Sequence, residues 1–309
     1  MIPQTRYSLY GVASAMLAAM AIVMTEVAMR FYGLTPLLVA LYSSLIGGFL
    51  LMAPLARQGM GFFRCWPRGD WVRFVAASLL LFVVGMVLVF LSIDLIGASK
   101  SSMISRLESL FVVGLAVLVL GEQWTRRRWV ASVVTLAGTI LVNFDPEALE
   151  LMLGAGELVN VAAAFAFASG IIILKPMLAR HDTQLLTGSA MLFGALILLP
   201  ICFYLDAWSG AAEITDTETY GPVWLSVTLL MVMSLLRALS WSVYIIAMRH
   251  IGAARCSIFF LTSVIFIVVL QVSLDAIAPG LGLQVPPYLL PVLGGGSLIV
   301  LGIFMLQRS

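Results

Sequence analysis

Apolar runs of about 20 residues, parted by short polar or Gly/Pro-containing joins, repeat along the whole chain. A helix rises about 1.5 Å per residue, so each run matches a bilayer core of roughly 30 Å. Ten can be drawn: 8–30, 35–56, 71–93, 98–120, 127–143, 156–178, 185–206, 222–247, 256–277 and 286–306. The joins carry the punctuation expected of turns: Gly33-Leu34-Thr35-Pro36, Pro67-Arg68-Gly69-Asp70, Asp145-Pro146-Glu147 and Val285-Pro286-Pro287. The pattern predicts an all-α polytopic membrane protein with ten transmembrane helices. A transmembrane β-barrel would show short alternating segments instead. The first run exceeds a signal-peptide core of about 7–15 residues and reads as a retained span.

Composition agrees. Of 309 residues, 62% are hydrophobic and 10% charged, and the mean hydropathy is +1.09. Soluble domains carry about 25% charged residues, so a water-facing fold is excluded, and almost no chain is left over for a soluble domain. The net charge of +2 is spread through the joins and predicts no nucleic-acid partner. Cys65, Cys202 and Cys256 form no CxxC pattern. His181 and His250 fall in predicted loops with no second ligand at helical spacing. No metal site and no cofactor is expected.

Charge sets orientation. With the N-terminus in the cytoplasm, the inner segments hold Arg6, Arg57, Arg64, Arg68, Arg73, Arg126, Arg127, Arg128, Arg180, Arg249, Arg255 and Arg308, most of the 17 basic residues. The outer loops hold only Arg30 and Lys100 and carry Asp145, Glu147, Glu150, Glu157, Asp206, Glu213, Asp216 and Glu218. The positive-inside rule then places both termini in the cytoplasm, which requires an even number of spans. The expected setting is a bacterial inner (cell) membrane, with the lipid bilayer as partner and the chain a monomer or homodimer.

Residues 96–102, Ile-Gly-Ala-Ser-Lys-Ser-Ser, match 251–257, Ile-Gly-Ala-Ala-Arg-Cys-Ser, at an offset close to half the chain. Gly138 in the fifth span likewise sets against Gly302 in the tenth. Five spans per half is an odd number, so the second half is inverted relative to the first, an arrangement typical of transporters. The halves are divided as 1–145 and 146–309. The junction of spans four and five, with Gly121, Glu122, Thr125, Arg126–Arg128, Ala131 and Gly138, resembles that of the drug/metabolite transporter superfamily, EamA type. The Ile-Gly-Ala entry to spans four and nine adds to the likeness. Two departures stand out. The proline usual in the fourth span is absent, with Glu108-Ser109-Leu110 in its region, and the second half has Ala276-Ile277 where the glycine-glutamate pair would fall. The resemblance implies a secondary transporter, and export as its direction.

The chemistry is sought among charges inside the spans, because each costs about 2.5–3.5 kcal/mol on insertion scales. In a straight helix Arg106 and Glu108 lie about 200° apart, and Arg106 shares its face with Ser102, Ser105 and Ser109. Arg237 shares a face with Ser234, Trp241 and Tyr244, a setting for a carboxylate or zwitterion held by a cation beside aromatic rings. The bland reading of Arg237 is a structural bridge to Glu108. Ser263 stands where the offset would put Glu108. Glu26, four residues before Arg30, and Lys175 are coupling or gating candidates. Their bland readings are an interfacial ion pair and a snorkelling lysine. Glu122 and Arg126–Arg128 are read as a helix end and an anchor, and Lys100, Asp94 and Asp275 as solvated. The glycines 294–296 and Gly302 are read as helix-packing positions.

These residues predict a small polar substrate, an amino acid or related carboxylate or zwitterion, moved by alternating access, with a coupling proton carried by Glu26 or Glu108. Nucleosides, quaternary amines or drugs are the alternative substrates. An intramembrane enzyme lacks a nucleophile or metal constellation at depth, and a channel lacks a repeated filter or ring of like charge.

Overall fold

The computed structural model describes residues 2–53, 67–120, 126–142, 144–145, 150–151, 154–178, 180–205, 223–251, 262–281, 283–284 and 289–307. An apolar helix stands at the place of every predicted span. In order they are α1 (Ile2–Arg30), α2 (Pro36–Met52), α3 (Arg68–Ile96), α4 (Ala98–Ile104), α5 (Leu107–Leu120), α6 (Arg126–Val142), α7 (Ala155–Leu178), α8 (Thr183–Tyr204), α9 (Val223–Ile251), α10 (Ser263–Ile277) and α11 (Leu289–Gln307). Five stretches, Leu9–Arg30, Arg68–Ile96, Ala155–Leu178, Thr183–Tyr204 and Trp224–Tyr244, are long and apolar enough to cross a membrane. A two-residue antiparallel ladder, Phe144–Asp145 against Glu150–Leu151, bridges α6 and α7.

Local chemistry accounts for several boundaries. The Thr35 hydroxyl caps α2 by accepting from the Leu38 amide, with Pro36 as the first helical residue. The Asp182 carboxylate caps α8 by accepting from the amides of Gln184 (2.9 Å) and Leu185 (3.2 Å). His250 falls within the last turn of α9 rather than in a loop, because the helix runs past the predicted end of its span. A π-helical stretch, Leu79–Gly85, interrupts α3.

The largest departure from expectation is in span four. It is two helices, α4 and α5, separated by a turn at Ser105–Arg106. The Arg106 amide donates to the Met103 carbonyl (3.1 Å) and the Glu108 amide to the Ser105 carbonyl (3.1 Å), both three residues back instead of four. The winding there is 3₁₀-like, with about 3.0 residues per turn. The straight-helix estimate of the angle between Arg106 and Glu108 therefore does not apply.

Helix packing repeats when the halves are exchanged. Span one against eight (α1·α9) corresponds to six against three (α7·α3), and two against eight (α2·α9) to seven against three (α8·α3). One against nine (α1·α10) corresponds to six against four (α7 with α4 and α5). Spans two and seven (α2·α8), and five and ten (α6·α11), pair with their own counterparts. The α6–α11 crossing is tight: a Cβ at Gly138 would lie 2.6 Å from the Gly295 carbonyl oxygen. This is the packing role expected of these small residues. The main apolar core joins α1, α2, α3, α8 and α9 through Leu38, Leu41, Phe90, Leu186, Met191 and Met233.

Candidate functional site

The turn at Ser105–Arg106 aims Arg106 at the other half of the chain. Its Nη2 donates to the Ser263 hydroxyl (2.9 Å), in the first turn of α10, where Ser263 is fully buried. Glu108 and Tyr244 are within electrostatic range of the same guanidinium. Arg106, Glu108, Tyr244 and Ser263 are thus brought together from spans four, eight and nine. The serines expected to flank Arg106 are engaged elsewhere. Ser102 donates to the Ser99 carbonyl (2.8 Å), and Ser105 shares its one hydrogen between the Ser101 carbonyl and Asn160 Oδ1 (both 2.9 Å). The side chain of Ser109 lies outside the described residues.

Arg237 sits in the middle of α9, half-buried. Its Nη2 donates to the Thr25 hydroxyl of α1 (3.1 Å), and its guanidinium lies over the Phe90 ring of α3, 4.6 Å from the centroid. The ring directly under the cation is one that the spacing along α9 could not supply. Trp241 is 40% exposed and packs edge-on against Tyr244 at 5.9 Å between centroids, while a ring from span three supports the cation. Same-helix spacing could show only which residues share a face, not what another helix lays against it. The Arg237–Glu108 bridge is not formed: among the described residues no carboxylate lies within ion-pair distance of Arg237. Ser234, one turn earlier, is fully buried with its hydroxyl unpartnered among the described residues.

Glu26 has a different environment. It is fully buried where α1 ends and α3 turns into α4. Its Oε2 accepts from the Ala98 amide and from Gln271 Nε2 (both 2.9 Å), and its Oε1 from the Gln284 amide (2.8 Å). The Arg30 guanidinium stands 3.6 Å away and donates also to the Asp94 carbonyl. The Gln271 carbonyl oxygen accepts from the Ser99 amide (3.1 Å) and the Ser99 hydroxyl, and its amide also donates to the Gln284 carbonyl (2.8 Å). Glu26 and Gln271 therefore satisfy the exposed first amides of α4, a need that every helix start creates. The pair with Arg30 exists, but as one contact of a buried knot joining α1, α3, α4, α10 and the segment at Gln284.

Lys175 is exposed in the last turn of α7. Lys100, expected in solvent, is instead held by Glu157 of α7 at 2.6 Å, both side chains largely buried. Glu157 also accepts from the Gly154 amide (2.9 Å). At the opposite end of α3, the buried Asp70 carboxylate faces Arg73 (3.3 Å), Arg180 (3.7 Å) and His181 (3.8 Å). The turn Gly121–Thr125, with Glu122, lies outside the described residues.

Sequence reading missed Thr25, Phe90, Asn160 and Gln271. Two of them left a signal. Asn160 and Gln271 are lone amides inside apolar runs, and a buried amide must find partners. The other two did not: a threonine and a phenylalanine in such runs look like lining.

No curated protein matches the chain in sequence. Among solved structures 27 chains match. One of them, described only as "Crystal structure of protein", superposes with a TM-score of 0.59 at 18% identity, over 98% of each chain, and shares the fold. The EamA-like transporter family matches twice in succession, over residues 5–144 and 154–282. The two matches fit a two-repeat architecture, the second ending before α11, and together they span most of the sequence. The chain is a membrane protein of the EamA-like transporter family.

Proposed function

We propose that the protein is a secondary transporter that moves a small carboxylate or zwitterion, such as an amino acid, by alternating access. The observation that carries this reading is the state of Arg237. Its guanidinium is withdrawn from water and supported by a ring and a neutral hydroxyl, with no carboxylate at ion-pair distance among the described residues. A buried charge without a counter-ion is costly, and an anionic substrate group supplies one. Arg106 has Glu108 within electrostatic range. Two cations and one acid leave a single positive charge for one carboxylate, and Glu108 is then free to face an amine. Tyr244, Trp241, Ser102, Ser105, Ser109 and Ser263 complete the proposed surroundings.

The eleven helices are read as ten spans, α4 and α5 making one, in two inverted halves, 1–145 and 146–309, with both termini in the cytoplasm of a bacterial inner membrane. Export is the direction the family likeness favours. Glu108 is the favoured carrier of a coupling proton, since Glu26 is already saturated with donors. Lys175 fits a snorkelling position better than a gate.

The test is a thermal-shift screen of purified protein against amino acids, organic acids, nucleosides and quaternary amines, followed by flux in proteoliposomes. Ligands with a carboxylate should stabilise the protein. Arg237→Leu and Arg106→Leu should each reduce flux of the best ligand at least about tenfold, the cost of roughly 1.4 kcal/mol of lost binding. Normal flux by well-folded variants would sink the assignment. Stabilisation by quaternary amines alone would transfer the role to Glu108 and the Trp241–Tyr244 pair.

A further inference from the structure

Span four is broken without a proline or a glycine at the break, where the sequence reads Met103-Ile104-Ser105-Arg106-Leu107. Helix interruptions have identifiable causes, and one of them is a side chain inserted into the backbone ladder. Another is a side chain bonded at the edge of the break, and Asn160 of α7 is placed so, beside a ladder bond from the Ser105 amide to the Ser101 carbonyl that stays formed. Asn160 is fully buried. Its Nδ2 shares two hydrogens among three acceptors, the Ser101 carbonyl (2.8 Å), the Ser101 hydroxyl (2.7 Å) and the Ser92 hydroxyl of α3 (2.8 Å). Its Oδ1 accepts from the Ser105 hydroxyl (2.9 Å). One amide thus grips the last turn of α4 by a backbone carbonyl and the turn itself by a hydroxyl.

The one hydrogen of the Ser105 hydroxyl is shared between Asn160 Oδ1 and the Ser101 carbonyl four residues earlier, and the latter is a bond that bends helices. The Ser101 carbonyl therefore keeps its bond from the Ser105 amide and stands within reach of both Asn160 and the Ser105 hydroxyl. Immediately beyond, the bonding switches from four residues back to three. A residue in 3₁₀ winding turns by about 120° instead of about 100°, so each such step redirects the following side chain. The side chain redirected at this step is Arg106, and the direction it takes is toward Ser263.

We propose that Asn160 is the positioning residue of the site: it holds span four broken so that Arg106 crosses to the other half of the molecule. An apolar residue there would let the ladder of α4 run on into α5 and turn Arg106 away from Ser263. The functional meaning rests on the reading of Arg106 as an anion-binding group; the test does not.

The test is a ligand-free double-mutant cycle on the purified protein, read by thermal midpoint, with Ser263→Ala in the wild-type and Asn160→Leu backgrounds. In the wild type, loss of the Arg106–Ser263 bond should lower the midpoint by about 3 °C. In Asn160→Leu the same substitution should lower it by less than a third as much, because the bond is already gone. In arginine-labelled protein, the Arg106 side-chain resonance should move on Asn160→Leu to where Ser263→Ala puts it. A general packing defect would lower all midpoints but leave the Ser263 increment intact. Should Asn160→Leu fail to fold, Asn160→Asp, which keeps the shape and removes the donor to the Ser101 carbonyl, goes through the same cycle. An undiminished increment or an unmoved Arg106 resonance overturns the proposal. Failure of the anion-binding reading would show separately, as normal flux in Arg106→Leu.

Discussion

Glu26 and Arg237 are both charges held inside an apolar bundle, and they are treated in opposite ways. Around Glu26 three N–H donors and a guanidinium converge on one carboxylate, and the carbonyl oxygens nearby are shared by Gln271 and Arg30. Around Arg237 stand a ring and a hydroxyl. Yet the two sites are neighbours in the chain of contacts, since Thr25, which receives Arg237, is the residue before Glu26. A saturated buried charge is cement: it ties helix ends and has nothing left to offer. An undersaturated one is a socket. The difference separates the residues that hold the bundle from those we propose to meet a substrate, although both look alike as charges in apolar runs.

The comparison can be broken most forcefully at Glu26. Glu26→Ala strands the Ala98 and Gln284 amides, the Gln271 amide and the Arg30 guanidinium in a dry site. Removing one partner of a buried charged network costs about 3–5 kcal/mol, measurable by denaturant unfolding in detergent. A loss under about 1 kcal/mol would show that the knot does not hold the fold. Next comes Gly97, which joins α3 to α4 at φ 79° and ψ 165°, a backbone region open essentially to glycine alone. A Cβ there would also lie 2.8 Å from the Gln284 Cβ and 2.9 Å from its carbonyl oxygen. Gly97→Ala should cost about 3 kcal/mol by the same measurement, through strain added to displacement of Gln284 from Glu26. Arg237→Met should do least to stability, with a change within about 1 kcal/mol. It gives up a hydrogen bond and a cation–π contact but also removes a buried, unbalanced charge. Thr25 keeps its own bond to the Ala21 carbonyl in that variant. Small loss of stability at Arg237 together with loss of flux would sharpen the contrast, and a loss as large as that of Glu26→Ala would erase it.

Some of the site was legible in the residues alone. Arg237 stands out because nothing else in its apolar run carries a charge, Arg106 and Glu108 because they lie well inside theirs, and Ser263 was reached through the internal repeat. The partners were not legible. Phe90 under Arg237 and Thr25 beside it come from helices more than a hundred residues away, and in sequence neither differs from ordinary lining. Glu26 was legible as a buried acid, but its role was not, because its donors are two backbone amides and a glutamine from three other segments. The break in span four was hidden for a related reason. No helix-breaking residue lies at it, and the groups that coincide with the interruption sit on α7 and α3.

What the sequence determined by itself was what depends on bulk composition and short range: apolar helices, their order, the repeat, and which positions are anomalous. Those follow from the cost of exposing polar groups to an apolar solvent, which is summed along the chain and needs no knowledge of neighbours. Only the tertiary structure decided which anomaly is satisfied and which is not. Satisfaction is a matter of directed bonds a few ångströms long between residues far apart in sequence, and it depends on how the helices lie against one another.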